Sequence, residues 1–354
     1  MRPTRLLSSA FLLSGLLAVG ACDSSEPGAE VTVRVMSQNV YLGGDLFTVA
    51  LETDPEQVPV RVAQLYATVE ASQPEARMAA IAAEIVRVGP DLVGLQEIST
   101  YSVQVPADNL PGGAATPATG VTYDFLQLLL EALSDAGASY TVASRSDNAD
   151  VEFPATADGE TFFDVRYQDA DVILAREGVS VGATSETVFN TLVSLPVGGV
   201  EQTFTRSYQT AAVTVDGLPF TFVNTHLEVG GEAETAQVLQ AAQLGRELDA
   251  VDGPLVLVGD INSDGRAGGR SYTLLTDRFE DAVPTADAPT CCQAADLRNA
   301  DSQLTTRIDV VLSRGFERSA AEVVLDTPGD RVGGLWPSDH AGVWADLTGR
   351  APAM

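Results

Sequence analysis

Short apolar runs recur along the whole chain, each with the length and composition of a buried β-strand. They are rich in Val, Ile and Phe, the residues that favour strands. The pattern predicts strands at 31–35, 92–95, 172–174, 211–215, 220–223, 255–258, 308–312 and 342–347. Between two of these runs, Asp216-Gly217 predicts a tight hairpin turn.

Between the strands, apolar residues also recur with the period of an α-helix. Met78, Ile81 and Ile85 lie on one face of such a helix. Helices are predicted over 74–88, 123–136 and 232–251. Strands and helices interleave without strict alternation, which favours an α/β fold with mixed rather than purely parallel sheets.

Three segments rich in Pro, Gly, Asp and Thr are predicted to be long surface loops: 40–73, 101–122 and 145–165. We see no internal repeat and no second linker after residue 31, so 31–350 is interpreted as one domain.

The first residues have the pattern of a secretory signal. Two arginines precede an apolar run at 6–19, which is shorter than the roughly 20 residues of a membrane-spanning helix. Val19-Gly20-Ala21-Cys22 resembles the lipobox of bacterial lipoproteins, which implies cleavage before Cys22 and acylation of that cysteine. The alternative is a plain signal peptide with an incidental cysteine.

This interpretation divides the chain into a signal peptide at 1–21, a lipidated cysteine with a short polar linker at 22–30, and the domain at 31–350. A flexible linker of this length spans roughly 15 Å. We therefore expect an exported monomer on a membrane surface of the cell envelope, facing the periplasm or the exterior.

The charge is strongly acidic. The chain has 49 Asp and Glu residues and 20 basic residues, all of them Arg, so its formal net charge is −29. Cleavage before Cys22 would remove Arg2 and Arg5 and leave −31. Such a body repels polyanions, and the basic groove that supplies non-specific DNA affinity is not visible in the sequence. The charge thus disfavours a nucleic-acid partner, although it could instead reflect solubility or a saline environment.

Polar side chains suited to a cation or a phosphate follow several of the predicted strands. Asn39 and Glu97 each come just after an apolar run, and carboxylate and amide oxygens suit a hard cation. His226 ends another run. Asp260 and Asn262 follow a fully apolar strand and would point to the same side if the chain stays extended.

The second of only two histidines, His340, stands beside Asp339 just before the last predicted strand. For each histidine taken alone, a hydrogen-bonded structural role stays open. Cys291 and Cys292 are adjacent, which permits either a vicinal disulfide or two buried thiols. Adjacent cysteines lack metal-ligand spacing, so they are assigned no catalytic role.

These motifs together resemble the endonuclease/exonuclease/phosphatase superfamily, which includes deoxyribonuclease I, apurinic endonucleases, neutral sphingomyelinases and inositol-polyphosphate 5-phosphatases. In family order, from 31 to about 348, stand Gln38-Asn39, Gln96-Glu97, Thr225-His226, Gly259-Asp260-Ile261-Asn262, Arg307-Ile308-Asp309 and Ser338-Asp339-His340. The resemblance implies a four-layered α/β sandwich, with two mixed β-sheets packed face to face, helices outside and the site at one rim.

The resemblance also implies a metal site. Glu97 would be the principal ligand of Mg²⁺ or Mn²⁺, helped by Asn39, and Asp339 could contact a metal or hold the site together. A structural Ca²⁺ is left open.

The same resemblance gives roles to the catalytic candidates. Asp260 and Asn262 would orient the attacking water, with Asp260 as the base. His226 and His340 would hold phosphate oxygens or protonate the leaving group. Asp309 would orient His340.

Arg206 and Tyr167 are candidate substrate-binding residues, and Arg206 could equally be a surface arginine. The acidic partner of His226 is open because Tyr167, Asp169 and Asp171 all lie in the corresponding stretch. Of these, Asp171 is preferred.

The sequence therefore predicts an exported phosphoesterase that hydrolyses a phosphodiester or phosphomonoester by in-line attack of water. A small-molecule or lipid phosphate is favoured as substrate. An extracellular endonuclease and a non-catalytic surface binding lipoprotein are the alternatives.

Overall fold

The computed structural model describes residues 28–110, 115–197, 200–283 and 288–353. The predicted signal peptide and Cys22 lie outside the described residues. None of the helices in these ranges has the length and hydropathy of a membrane span.

The strands, in chain order, are β1 Glu30–Asn39, β2 Leu92–Gln104, β3 Gly120–Asp124, β4 Tyr140–Ala155, β5 Phe163–Arg176, β6 Ser180–Val188, β7 Val193–Val197, β8 Val200–Phe204, β9 Ser207–Val215, β10 Leu218–His226, β11 Leu255–Asp260, β12 Glu280–Asp281, β13 Asp309–Arg314, β14 Glu317–Val324 and β15 Gly342–Arg350. The helices are α1 Phe47–Ala50, α2 Val58–Ala71, α3 Pro74–Val88, α4 Phe125–Asp135, α5 Glu234–Leu248 and α6 Arg270–Thr276.

These strands form two large mixed sheets and one small hairpin. The first large sheet has the order β14-β15-β1-β2-β5-β4, with β3 paired to β2, and the second has the order β12-β13-β11-β10-β9-β6. The hairpin consists of β7 and β8. In each large sheet the paired central strands are parallel, β1 with β2 and β10 with β11, while their neighbours run antiparallel.

Central strands bury both faces, which explains why their sequences are continuously apolar. In β11, Val256 and Val258 face the other sheet, whereas Leu255 and Leu257 pack in the separate core beneath α5. A third core lies between the first sheet and α2, α3 and α4. The layers are thus helix, sheet, sheet and helix, and the predicted four-layered sandwich with mixed sheets is confirmed.

Two of the predicted surface loops are wrong. The segment 40–73 contains α1 and α2, and 145–165 is largely occupied by β4 and the start of β5. The helical pattern of the first segment is present in the sequence, because Val58, Val62 and Tyr66 recur every four residues and are buried. The signal in β4 was absent because this edge strand leaves much of its surface exposed and carries many polar residues.

The third predicted loop, 101–122, is shorter than expected. Strand β2 runs on to Gln104, and β3 begins at Gly120. Strands β6 and β14 were also not predicted, since both lie at sheet edges with mostly exposed side chains. Edge strands carry polar residues that hide the apolar alternation.

A buried amide is one of the links between the two sheets. Asn224 of β10 accepts a hydrogen bond from Gln96 Nε2 at 2.7 Å, and its Nδ2 lies 3.1 Å from the carbonyl oxygen of Leu95 and 3.2 Å from that of Val172. Close approach also requires Gly94, because a Cβ there would lie 2.5 Å from Asn224 Oδ1. The side chains of Asn224 and Val258 therefore fill the space that a side chain at position 94 would need.

We predict that Asn224→Ala destabilises the protein by roughly 2–4 kcal/mol, because it leaves Gln96 and two carbonyl groups buried without partners. Urea denaturation monitored by circular dichroism measures the free energy of unfolding. Asn190→Ala is the control, since Asn190 is exposed and should change stability by less than about 0.5 kcal/mol. Equal effects of the two substitutions would contradict the inter-sheet role of Asn224.

Candidate active site

The predicted site residues gather where the parallel strands end. Asn39 is the last residue of β1, and His226 and Asp260 are the last residues of β10 and β11. Glu97 lies on β2, immediately after the stretch that pairs with β1. Asp260 pairs with both His226 and Asp309 across its own sheet. The two sheets thus present these groups at one shared rim.

Asp260 is buried at the centre of this rim. Its Oδ1 accepts the backbone N–H of Asn262 at 2.8 Å, and its Oδ2 accepts from Asn39 Nδ2 at 3.2 Å. The same Oδ2 lies 3.7 Å from His226 Nε2 and 3.8 Å from His340 Nε2. One carboxylate oxygen therefore faces both imidazoles.

Asn262 reaches this position through a left-handed backbone conformation, with φ of 51°. Its Nδ2 donates to the carbonyl oxygen of Leu227 at 3.0 Å and lies 3.3 Å from His226 Nε2. The main chain of Asn262 thus holds Asp260, while its side chain faces His226.

Glu97 is held by contacts from β1 and from the loop that follows it. Its Oε1 accepts from Asn39 Nδ2 at 3.0 Å, and its Oε2 accepts the N–H of Leu42 at 2.8 Å. The backbone of Glu97 has φ of 59° at an irregularity in the pairing of β2 with β5. Burial alone would raise the pKa of Glu97, but His226 and His340 outweigh it and keep that pKa below its usual value.

His340 forms a buried pair with Asp309, whose Oδ2 lies 2.9 Å from His340 Nδ1. Thr290 Oγ1 in turn accepts the N–H of Asp309 at 3.1 Å. Burial opposes protonation of the ring, yet the carboxylates of Asp309 and Asp339 raise the pKa of His340 well above its ordinary value of 6.5. These carboxylates favour the protonated form of the ring, whose Nε2 lies 3.8 Å from Asp260 Oδ2.

His226 faces Asp171, with 3.8 Å between Nδ1 and Oδ1. Asn148 Nδ2 donates to Asp171 at 2.9 Å and to Asp169 at 3.2 Å, so one amide holds both carboxylates. Burial, followed by the charges of Asp171 and Glu97, raises the pKa of Asp169 to about 7.

The two predicted substrate-binding residues differ in position. Arg206 lies 3.7 Å from Glu228, and Asp169 and Asp171 also act on its charge. Tyr167 packs against Tyr101 with ring centroids 5.3 Å apart, and only 7% of its surface is exposed. The structure brings Arg206 to the acidic side of the rim, whereas Tyr167 belongs to the core under α2.

Asp339 completes the rim beside His340, with 3.9 Å between its Oδ1 and Nε2 of that ring. Burial first, and then the charges of Glu97 and Asp260, raise the pKa of Asp339 to about 7. Oδ1 atoms of Asp339, Asp309 and Asp171 are buried without a hydrogen-bond partner among the described residues.

This excess of buried carboxylate fits a divalent cation. All-oxygen donors suit a hard ion such as Mg²⁺. Ligand atoms of Asp260, Asp309 and His340 also lie within 4.8 Å of one another, but Asp309 and His340 already satisfy each other by a hydrogen bond. Glu97 is hydrogen-bonded as well, through both of its oxygens, and Asn39 Oδ1 accepts the N–H of Tyr41 at 2.9 Å, so an ion at either place would replace some of these bonds.

The sequence profile of the endonuclease/exonuclease/phosphatase family matches residues 36–340, which contain every one of these rim residues. The chain belongs to this family. Members of the family are divalent-metal-dependent phosphoesterases and nucleases, so the chain is a metal-dependent phosphoric ester hydrolase, as the sequence predicts. No curated protein matches the chain significantly.

The chain shares its fold with several solved structures. A family protein from Bacteroides thetaiotaomicron is 16% identical, with a TM-score of 0.55 over 91% of this chain and 96% of that one. A mannosyl-6-phosphatase from Bacteroides thetaiotaomicron VPI-5482 is 17% identical, with a TM-score of 0.54 over 89% and 99%. A family protein from Leptotrichia buccalis is 15% identical, with a TM-score of 0.53 over 89% and 99%. At these identities the likeness shows the fold alone.

Sequence reasoning missed several residues that support the family's site. Asn224 and Gln96 are polar positions inside apolar strands, which is a readable signal of a buried hydrogen bond. Arg77 is another: it stands on the apolar face of α3 and is fully buried. It donates to the carbonyl oxygens of Val40 and Tyr41 at 3.3 and 3.0 Å and so fixes the loop after Asn39. Asn148 gave no such signal because its strand was not predicted.

The adjacent cysteines also lie near the site. The structure joins Cys291 and Cys292 in a disulfide. Cys291 pairs through a backbone bridge with His340 and another with Thr306.

We predict that Asp309→Asn lowers the pKa of His340, because an imidazolium loses stabilisation when its carboxylate partner becomes neutral. Nuclear magnetic resonance of the ring protons in metal-free protein measures the titration midpoint directly. The chain has two histidines, so His226→Gln assigns both signals. An unchanged midpoint for His340 in Asp309→Asn would refute the pairing.

Proposed function

We propose that the protein is an exported, lipid-anchored phosphoesterase that hydrolyses a small-molecule or lipid phosphate by in-line attack of water. The observation that carries the catalytic part is the buried Asp260 carboxylate, one oxygen of which faces His226 Nε2 and His340 Nε2 at 3.7 and 3.8 Å. A base and two proton donors thus converge on one point of the rim.

The cation belongs on the Glu97 side of this point. Glu97 and Asn39 would hold it, and Asp339 would complete its surroundings. A Mg²⁺ or Mn²⁺ bound there supplies Lewis-acid stabilisation of the phosphoryl oxygens. The neutral amide of Asn39, already within 3.0 Å of Glu97 and 3.2 Å of Asp260, fixes the spacing of the two carboxylates.

Asp260 acts as the base. Its Oδ1 accepts the N–H of Asn262 at 2.8 Å, whereas its Oδ2 accepts only the longer bond from Asn39 Nδ2 at 3.2 Å and faces both imidazoles, so Oδ2 is the oxygen placed to take a proton from water. The water oxygen bonds to phosphorus as the bond from phosphorus to the ester oxygen breaks. His340, kept protonated by Asp309, gives its Nε2 proton to the departing oxygen.

His226 and Arg206 bind the phosphoryl oxygens. Phosphoryl transfer depends mainly on positioning and on neutralising the charge of these oxygens, which cationic side chains supply. Burial and Arg206 lower the pKa of His226, but Asp171 and Asp260 outweigh them and raise it above its ordinary value. His226 is thereby suited to act as a cation, with Asp171 as its partner.

The preference for small or lipid phosphates rests on charge. A basic patch around Arg206 would favour the endonuclease alternative, but Arg206 is surrounded by Glu228, Asp169 and Asp171. With a formal charge of −29, the chain also repels polyanions at long range. The mannosyl-6-phosphatase with the same fold supports a phosphate on a small molecule.

Export and anchoring rest on the N-terminal pattern. The apolar run at 6–19 and the lipobox-like residues ending at Cys22 favour a lipoprotein signal. A flexible linker would then keep the rim within reach of a lipid surface, where lipid phosphates are concentrated.

We predict that the purified protein with Mg²⁺ or Mn²⁺ hydrolyses bis-p-nitrophenyl phosphate. At low salt it should also hydrolyse a hexose 6-phosphate or sphingomyelin roughly tenfold or more faster than plasmid DNA. Initial rates on the four substrates at matched phosphate concentration measure this. Preferred turnover of plasmid DNA would overturn the substrate class and favour the endonuclease.

Two variants test the chemistry in the same assay. Asp260→Asn and His340→Ala should each lower kcat about 10²–10⁴-fold, because each removes one proton-transfer step. Asp277→Asn is the control, since this carboxylate is exposed at the end of α6. Wild-type turnover by either site variant would contradict the proposed mechanism.

We predict that Cys22→Ser abolishes lipid attachment and moves the protein from the membrane fraction to the soluble fraction. Labelling with a radioactive fatty acid and fractionation of bacterial cells expressing the full chain measure both. Ser24→Ala, two residues further on, should keep label and membrane location. Retained labelling of Cys22→Ser would place the acyl group on another residue, and a wild type without label would refute the lipid anchor.

A further inference from the structure

A second group of carboxylates lies away from the rim, where β2, β4 and β5 continue past it. Asp164 is the second residue of β5, Glu152 lies on β4, and Asp108 lies in the loop after β2. One ligand atom from each side chain lies within 4.8 Å of the other two. We call these three residues the tip cluster.

Asp164 is fully buried, yet one of its oxygens has no partner. Its Oδ2 accepts the N–H groups of Asp108 and Asn109 at 2.7 and 3.1 Å. Its Oδ1 has no hydrogen-bond partner among the described residues. Buried carboxylate oxygens are ordinarily paired or bound to a metal, so this oxygen points to a missing ligand.

No basic side chain supplies that partner. Arg166 is the nearby cation, but its guanidinium forms a two-pronged ion pair with Asp150 at 2.7 and 2.5 Å. Within the described ranges, no ion pair includes Asp108, Glu152 or Asp164. Arg166 acts on the charge of Glu152 only from beyond ion-pair distance, so the protein compensates the three negative charges of the tip cluster only in part.

Residues 105–110 and 115–119, in the loop between β2 and β3, hold the other two carboxylates in place. Glu152 accepts the N–H of Ala118 at 2.6 Å, and Asp108 accepts the N–H of Thr116 at 3.2 Å. Both ends of the loop are thus fastened around the cluster, and the carboxylates are aimed at one another despite their like charge.

We propose that the tip cluster binds one Ca²⁺ and that the ion fastens this loop to β4 and β5. Three carboxylates are hard oxygen donors, and Ca²⁺ accepts six to eight such ligands in irregular arrangements, whereas Mg²⁺ demands a near-ideal octahedron. Neutral oxygens of the loop and water would complete the shell. The proposal does not depend on the proposed function, because Asp164 stands five residues from Asp169 along β5, roughly 16 Å from the rim.

Calcium binding to the purified, metal-free full-length protein tests this site. Isothermal titration from about 0.1 µM to about 10 mM Ca²⁺ covers the affinities of sensor and extracellular calcium sites. The melting temperature is measured in parallel with and without Ca²⁺. Four variants are compared with the wild type: Asp164→Asn, Glu152→Gln, Glu97→Gln and Asp158→Asn.

Glu97→Gln removes the rim's main carboxylate and should still bind one Ca²⁺ at the tip, with the same rise in melting temperature as the wild type. Asp164→Asn and Glu152→Gln should each weaken this binding roughly tenfold or more, because affinity follows the ligand charge. Asp158→Asn is the matched control, since Asp158 lies in the turn between the same strands and outside the cluster.

Loss of all calcium binding in Glu97→Gln would overturn the proposal, as would unchanged binding in Glu152→Gln. If Asp164→Asn does not fold, Glu152→Gln decides the question, because Glu152 is only half-buried. Failure of the hydrolysis assays with calcium binding intact would count against the catalytic proposal alone.

Discussion

The hydrogen bond from Asn39 to Asp260 joins the two sheets, and the active site exists only because both sheets end at the same level. Asn224 and Gly94 set that level from below, by a buried amide network and by the absence of a side chain where Asn224 and Val258 of the facing sheet pack. A shift of one residue in either sheet would turn the strand-end side chains to the opposite face. The chemistry of the rim therefore depends on the fit between the sheets.

The second constraint is charge. The rim concentrates buried carboxylates, and the protein offsets them with two imidazoles and with the guanidinium groups of Arg206 and Arg77. Burial and mutual repulsion leave Asp169 and Asp339 with pKa values of about 7, which indicates an unbalanced site. A divalent cation would neutralise this excess of negative charge. A phosphoryl group would then bind to a part of the surface that is cationic only locally.

Much of the site could be predicted from the sequence, because a polar residue that follows an apolar run marks the end of a strand. Asn39, Glu97, His226 and Asp260 are such residues. The central strands and α3 were readable for the same reason, since their burial is continuous or strictly periodic. Strand β4 was not, because its edge position makes its sequence polar. The resemblance left Tyr167, Asp169 and Asp171 as candidate partners of His226 with Asp171 preferred, because the position that faces His226 depends on how the sheets are stacked and no local pattern contains it.

The parallel pairs have one more consequence. Strands β1 and β2 are joined through helices, as are β10 and β11 through α5, so the fold contains two facing crossover units. One unit supplies Asn39 and Glu97, and the other supplies His226 and Asp260. Neither half of the polypeptide carries a complete catalytic apparatus. A gene fragment that encodes only one crossover unit therefore encodes only part of the catalytic residues. Activity requires that the two units associate.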